Sequence, residues 1–292
     1  MRWEGNDQSS NVEDRRGDDG GGGGGGFGIG GRSIGIGTIV IALLAWGVFG
    51  INPLTTIGVL GGAGSQVSQP APGQAPPAND QAAAFVSTVL ASTEDAWTQI
   101  FRQGGAQYRE PRLVLFRGAT RTACGMGQSA MGPFYCPADQ TVYLDMEFFE
   151  TLQRQLNAPG EFARAYVIAH EVGHHVQTLL GTTGKVDSLR GRVSERENNA
   201  LSVRMELQAD CFAGIWANKS QQAKNWLEQG DLESAMNAAA RIGDDHLQRQ
   251  QTGMVRPDTF THGSSAQRQR WFAQGFKTGS VQACDTFNAQ SL

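Results

Sequence analysis

In the stretch 81–103, Phe85, Val89, Ala96, Trp97 and Ile100 recur at roughly helical spacing, which predicts a helix from Gln81 to Gln103. Arg112–Phe116 and Thr141–Leu144 are short apolar runs and predict two strands, joined through a loop that holds Cys124 and Cys136. Glu147–Leu156 reads as a helix stopped by Pro159-Gly160. Glu161–Leu180 reads as a longer one ending at Gly181. Further helices are predicted over Glu195–Lys219, which opens at Ser194, over Asp231–Gln251 and over Ser265–Lys277. There is no internal repeat. The pattern predicts an α+β domain over residues 80–292, mostly helical, with a small sheet against a helical bundle.

The front of the chain has a different pattern. Residues 1–32 are polar, charged and glycine-rich, with Gly20–Gly26 an unbroken run. So few apolar residues predict a disordered segment. From Ser33 to Asn79 there is no Asp, Glu, Lys or Arg, and Ile34–Ile51 is strongly apolar. Eighteen helical residues span about 27 Å, close to the hydrocarbon thickness of a bilayer. Asn52-Pro53 interrupts the helix, but apolar residues continue to Leu60, so residues 33–60 are expected to form one transmembrane anchor. A cleaved signal peptide is the alternative. It requires an unusually long leader and an apolar core longer than signals carry. Arg15, Arg16 and Arg32 precede the span and the next basic residue is Arg102. The positive-inside rule therefore places the N-terminus in the cytoplasm and the domain on the external or periplasmic side of the cell membrane. Residues 61–79 form a Gly/Pro/Ala/Gln linker that holds the domain off the membrane.

Composition changes this picture in two places. The 292 residues carry a formal net charge of -4, and no basic patch is interleaved with aromatics, so a nucleic-acid partner is excluded. Four cysteines are present, none in a CxxC pair, which excludes a cysteine-rich zinc knuckle. Cys124 and Cys136 bracket a short loop rich in Gly, Ser and Pro, which suits a local disulfide and leaves Cys211 with Cys284. Four buried thiols are the other reading. An external, oxidising compartment favours the bonds.

The chemistry lies in the third predicted helix. His170, Glu171 and His174 form an HExxH motif, and a chain of this length meets one by accident about once in a hundred. Residues four apart on a helix share a face, so both imidazoles can point at one ion while Glu171 serves a water as general base. Phe162, Tyr166, Ile168, Ala169, Val172 and Val176 give that helix an apolar face, and Gly173 leaves room for another backbone. A catalytic zinc needs a third protein ligand and an open position. Residue 177 is Gln and residue 180 is Leu, so the metzincin third histidine is absent. In the following helix Glu206 and Asp210 are four apart among Leu201, Met205, Leu207, Ala209, Phe212 and Ala213. Carboxylates in such surroundings are costly unless paired or metal-bound. Glu206 is the candidate third ligand. Asp210 is the candidate acceptor for the free N–H of His170.

HExxH followed by ExxAD resembles the gluzincin zinc peptidases. The blocks IAHEVGHHVQ, ERENNALSVRMELQADCFAGIWA and FTHGSSAQRQRWFAQGF resemble a bacterial family called putative neutral zinc metallopeptidases, over about residues 80–290 plus the anchor. The resemblance implies a zincin-like fold, one zinc per chain on His170, His174 and Glu206, Glu171 as base, and a peptide or protein substrate. It also implies a His or Tyr that donates to the oxyanion. His262 is the candidate, and helix entry or packing is its alternative. Arg268 and Arg270 lie in the same block. His175 points about 100° from His174 and is expected to be structural. His246, beside Asp244 and Asp245, could form another site, but a solvated helix face is the expectation. Endopeptidase action is expected, since no acidic element for a free substrate amine is identifiable. The Thr141–Leu144 strand is a candidate edge for an extended substrate. An anchored, non-catalytic zinc scaffold is the competing reading, and the retained Glu171 argues against it. Oligomeric state is not legible.

Overall fold

The computed structural model describes residues 1–18, 74–128 and 132–292. The expected anchor (33–60), most of the linker and the glycine run lie outside the described residues. Among the described residues no helix is long and apolar enough to cross a membrane.

The elements run β1 (Val12–Asp14), α1 (Gln81–Gln103), β2 (Arg112–Phe116), β3 (Ala119–Thr122), β4 (Gly125–Gln128), β5 (Phe134–Cys136), β6 (Thr141–Asp145) and α2 (Glu147–Arg154). Then follow α3 (Glu161–Leu179), α4 (Thr182–Leu189), α5 (Glu195–Lys224), α6 (Asp231–Arg241), α7 (Asp244–Thr252) and α8 (Ser265–Thr278). The domain is thus α+β and mostly helical, as the pattern predicts. Local signals start the helices. The Asp80 carboxylate accepts from Ala83 N–H at the start of α1, and Ser194–Glu197 and Ser264–Gln267 form reciprocal capping boxes at α5 and α8.

The main sheet has the order β1-β2-β6-β5. β1 and β6 flank β2 in parallel, and β5 runs antiparallel to β6. All five residues of β6 are buried: Val142 and Leu144 face the helical core, Tyr143 packs with Val114, Phe116 and Cys136, and a strand lies on each side. This overturns the expectation that Thr141–Leu144 offers an open edge. The edge on that side is β5.

Three further expectations are corrected. Residues 1–18 are folded onto the domain rather than disordered. Val12 is buried and pairs with Leu113, and Trp3 packs edge-on against Phe85 with ring centroids 5.4 Å apart. A segment this polar builds no core alone, but β2 and α1 supply the apolar surface. Arg15 pairs with Glu13, and Arg16 with both Asp14 and Asp80. The loop between the first two predicted strands contains β3, β4 and β5. Finally, the predicted helix Asp231–Gln251 is two helices. A Cβ at Gly243 meets Ser265 N at 2.5 Å, so the backbone there turns to pass α8, which no periodicity reports.

Close helix approach builds the core around the predicted motif. Gly173 of α3 faces α5, where a Cβ meets Ala209 O at 2.9 Å. Gly214 of α5 and Gly275 of α8 bring those two helices closer still, with added Cβ atoms 2.1 Å from Phe272 O and 1.9 Å from Cys211 O. Gly275→Ala therefore forces the α5–α8 pair apart. It is expected to destabilise the domain by about 3 kcal/mol, the upper part of the overpacking range, read as a lowered denaturation midpoint at unchanged slope.

Candidate metal centre

His170 and His174 sit one turn apart on α3, and Glu206 on α5 reaches across to both. One donor atom from each of the three residues lies within 4.8 Å of the other two. Glu206 Oε2 is 3.2 Å from His170 Nε2, and Oε1 is 3.5 Å from His174 Nε2. The predicted trio is therefore brought together. Gly173 permits it, since Ala209, whose backbone it faces, lies between Glu206 and Asp210 on α5.

The other nitrogen of each imidazole is already engaged. His170 Nδ1 is 2.8 Å from Asp210 Oδ1, the contact expected from sequence. Asp210 is fully buried and also accepts from Tyr166 OH at 2.5 Å and from the Arg268 guanidinium, Nε to Oδ2 and Nη2 to Oδ1, each at 2.9 Å. This two-point grip keeps the carboxylate ionised in a dry site. Burial alone raises its pKa; Arg268 and His170 outweigh burial and hold it below its ordinary value. With Tyr166 and Arg268 both donating, His170 Nδ1 carries its own proton and donates it too. That leaves the Nε2 lone pair for a cation.

His174 is fixed by a residue that sequence reasoning missed. Its Nδ1 lies 2.9 Å from Gln177 Oε1. The Gln177 amide donates to Met205 O at 2.7 Å and Gln208 Oε1 at 3.2 Å, and Gln208 in turn donates to Cys284 O at 3.0 Å. Because the Gln177 NH2 is committed to acceptors, its oxygen faces His174 and selects the Nδ1–H tautomer. From sequence, Gln177 served only to exclude a third histidine. The usable signal was its position one turn after His174 on an apolar helix face.

The electrostatics suit a divalent cation. Burial by itself raises the Glu206 carboxyl, but His174 and His170 hold it well below its ordinary value. Burial lowers His170, and Asp210 and Glu206 more than reverse this, pushing it up to about 10. Without a cation, then, His170 holds a proton against Glu206. Glu171 is buried beside them, and burial raises its pKa. That is the direction a proton acceptor and donor working near neutrality needs.

His262 enters from the loop before α8. Its Nδ1 is 3.1 Å from Asp244 Oδ1, while Asp244 Oδ2 accepts the backbone N–H groups of Thr261, His262 and Gly263 at 2.7, 2.7 and 3.0 Å. Asp244 is buried by this task rather than solvated, while His246 on the expected helix face is half-buried. Asp245 accepts from Ser265 N–H and Oγ. His262 also bears electrostatically on Glu206; burial lowers its pKa, and Asp244 and Glu206 raise it overall. His175 is structural: it is fully buried, with Nδ1 3.0 Å from Tyr135 OH and Nε2 2.6 Å from Arg109 O. Arg270 is remote, bonding Ser291 and Leu292. Cys124 is bonded to Cys136 and Cys211 to Cys284, so Cys211, next to Asp210, is no metal ligand.

Known proteins match along this same frame. Uncharacterized protein YpfJ of Escherichia coli (strain K12) is 52% identical over 290 residues, covering 98% of this chain and 99% of the relative. Uncharacterized protein Rv2575 of Mycobacterium tuberculosis (strain ATCC 25618 / H37Rv) is 42% identical over 218 residues, covering 71% of this chain and 73% of the relative. No solved structure matches. The family profile described as "Putative neutral zinc metallopeptidase" matches residues 1–287, and with the HExxH helix and its converging glutamate in place, the chain belongs to that family.

Proposed function

We propose that this chain is a zinc-dependent endopeptidase of gluzincin type. It takes one zinc on His170, His174 and Glu206 and hydrolyses peptide bonds in peptide or protein substrates. The supporting observation is the convergence of three donor atoms within 4.8 Å of one another. The remote nitrogens of both imidazoles are tied back to Asp210 and Gln177, so the facing nitrogens are the ones a cation would take, displacing the proton that His170 holds. Two nitrogens and a carboxylate are the ligand set of an open catalytic zinc site.

Bound zinc would lower the pKa of a coordinated water and polarise the scissile carbonyl. Glu171 would accept the proton of the attacking water on its carboxylate and return it to the leaving amine. Its burial raises its pKa and so makes the carboxylate a better proton acceptor for the first transfer. Asp210, gripped by Arg268 and Tyr166, holds the His170 ring in place. His262, steadied by Asp244, donates to the developing oxyanion. His262→Ala is expected to lower kcat by about 10²–10³ with zinc content unchanged, as for a lost oxyanion donor. Unchanged kcat assigns His262 to packing.

The site works, in this proposal, on the external or periplasmic side of the cell membrane. The two disulfides favour an oxidising compartment, and the apolar stretch at 33–60 associates with the bilayer. The experiment that tests the reading is digestion of a peptide library by the full chain, with zinc and after chelation. Internal cleavage that requires zinc supports it. A zinc-loaded chain that cleaves nothing identifies a scaffold instead.

A further inference from the structure

The pairing of residues 12–14 bears on how this chain meets a membrane. Ile34–Ile51 is long and apolar enough to cross once. A single crossing between residues 18 and 74 puts those two positions on opposite faces of the bilayer, about 30 Å apart. In the folded domain their neighbours touch. Asp14 N–H donates to Gln74 O at 2.7 Å, and Arg16 pairs with Asp80, the cap of α1, at 2.6 Å.

The attachment extends along the whole segment. Leu113 N–H donates to Asn11 O at 2.9 Å and Arg15 N–H to Leu115 O at 2.8 Å, on either side of the three-residue register with β2. Ser9 N–H donates to Ser87 O at 3.0 Å, and the Ser9 and Asn11 side chains both donate to Glu94. Trp3 donates to Glu161, the first residue of α3. Withdrawing residues 1–18 across a bilayer strips β2 of its partner, exposes Val12 and leaves the half-buried Glu94 without its donors Ser9 and Asn11. The family match begins at residue 1, so this segment belongs to the shared domain.

We propose that the N-terminal strand and the metal centre lie on the same side of the membrane. Residues 18 and 74, on either side of the apolar sequence, then do not lie on opposite faces of the bilayer. This replaces the arrangement expected from the positive-inside rule, with residues 1–32 in the cytoplasm and the domain outside. The inference does not depend on the peptidase reading, only on the strand pairing.

The test uses the full chain with a single reporter cysteine, Gln8→Cys or Met254→Cys, both at exposed positions; the four native cysteines are bonded. Intact spheroplasts of an expression host are treated with a membrane-impermeant maleimide, and permeabilised ones give the total. Glu4→Cys, also exposed, is a second N-terminal probe should Gln8→Cys fold poorly. Equal labelling of both ends supports the proposal. Equal protection supports it too, while overturning the external compartment proposed above. Labelling of one end with protection of the other until permeabilisation overturns the proposal.

Discussion

Glu171→Gln is expected to keep its zinc and lose hydrolysis, with kcat falling by about 10³–10⁴, the upper part of the general acid–base range. The amide matches the carboxylate in size, so the packing of α3 and the positions of His170 and His174 on either side are kept. What it lacks is a basic oxygen. At 1.36 kcal/mol per tenfold, the loss is about 4–5.5 kcal/mol of transition-state stabilisation. KM is expected to change little, since the substitution removes an interaction made in the transition state. Metal analysis beside steady-state kinetics on a library-derived peptide checks both parts. A variant that cleaves at the parental rate removes Glu171 from the mechanism. A variant that loses zinc shows that the side chain holds the site together.

Glu206→Ala is expected to weaken zinc binding more than 100-fold, beyond the 10–100-fold typical of losing a group that only orients a ligand. Two imidazoles from one helix then remain, with no donor from α5. The folded protein reports the same loss. At zinc 100 times its dissociation constant, ligand binding adds about 2.7 kcal/mol. That is roughly 5–10 °C of melting temperature for a domain of this size, and the variant is expected to lose it. The pH dependence follows from the same contacts. In the zinc-free protein His170 is raised to about 10, so at neutral pH it holds a proton that the metal must displace. Zinc affinity therefore rises with pH as that proton becomes easier to remove, and it falls in acid. Asp210→Asn is the comparison: it leaves all three ligands and is expected to stay within the 10–100-fold range. Zinc binding by Glu206→Ala at parental affinity removes Glu206 from the centre.

Much of the site was legible in one dimension because helical periodicity is local. His170 and His174 share a face wherever α3 packs, and Glu206 and Asp210 share one on α5. The HExxH and ExxAD motifs record that spacing. The need to satisfy buried carboxylates then ties Asp210 to an imidazole even before a fold is known. Capping signals at Ser194 and the break at Gly181 placed the helix ends within a few residues. The cysteine pairing followed from the short loop between Cys124 and Cys136.

What sequence could not reach depends on contacts between distant segments. Gln177 orients His174 only because Met205 and Gln208 of α5 occupy its amide protons, and Arg268 reaches Asp210 only because Gly214 and Gly275 let α8 lie against α5. Gly243 breaks a regular helical pattern because Ser265 stands in the way of any side chain. The N-terminal eighteen residues carry too little apolar surface to fold alone, and composition judged them by that. Their strand exists because β2 has an unpaired edge and α1 a face to cover. Sequence thus determined which side chains converge as a possible metal centre, since motif spacing is set by the turn of a single helix. Tertiary structure decided how those side chains are held and where the chain's beginning lies, since both require surfaces that another part of the chain supplies.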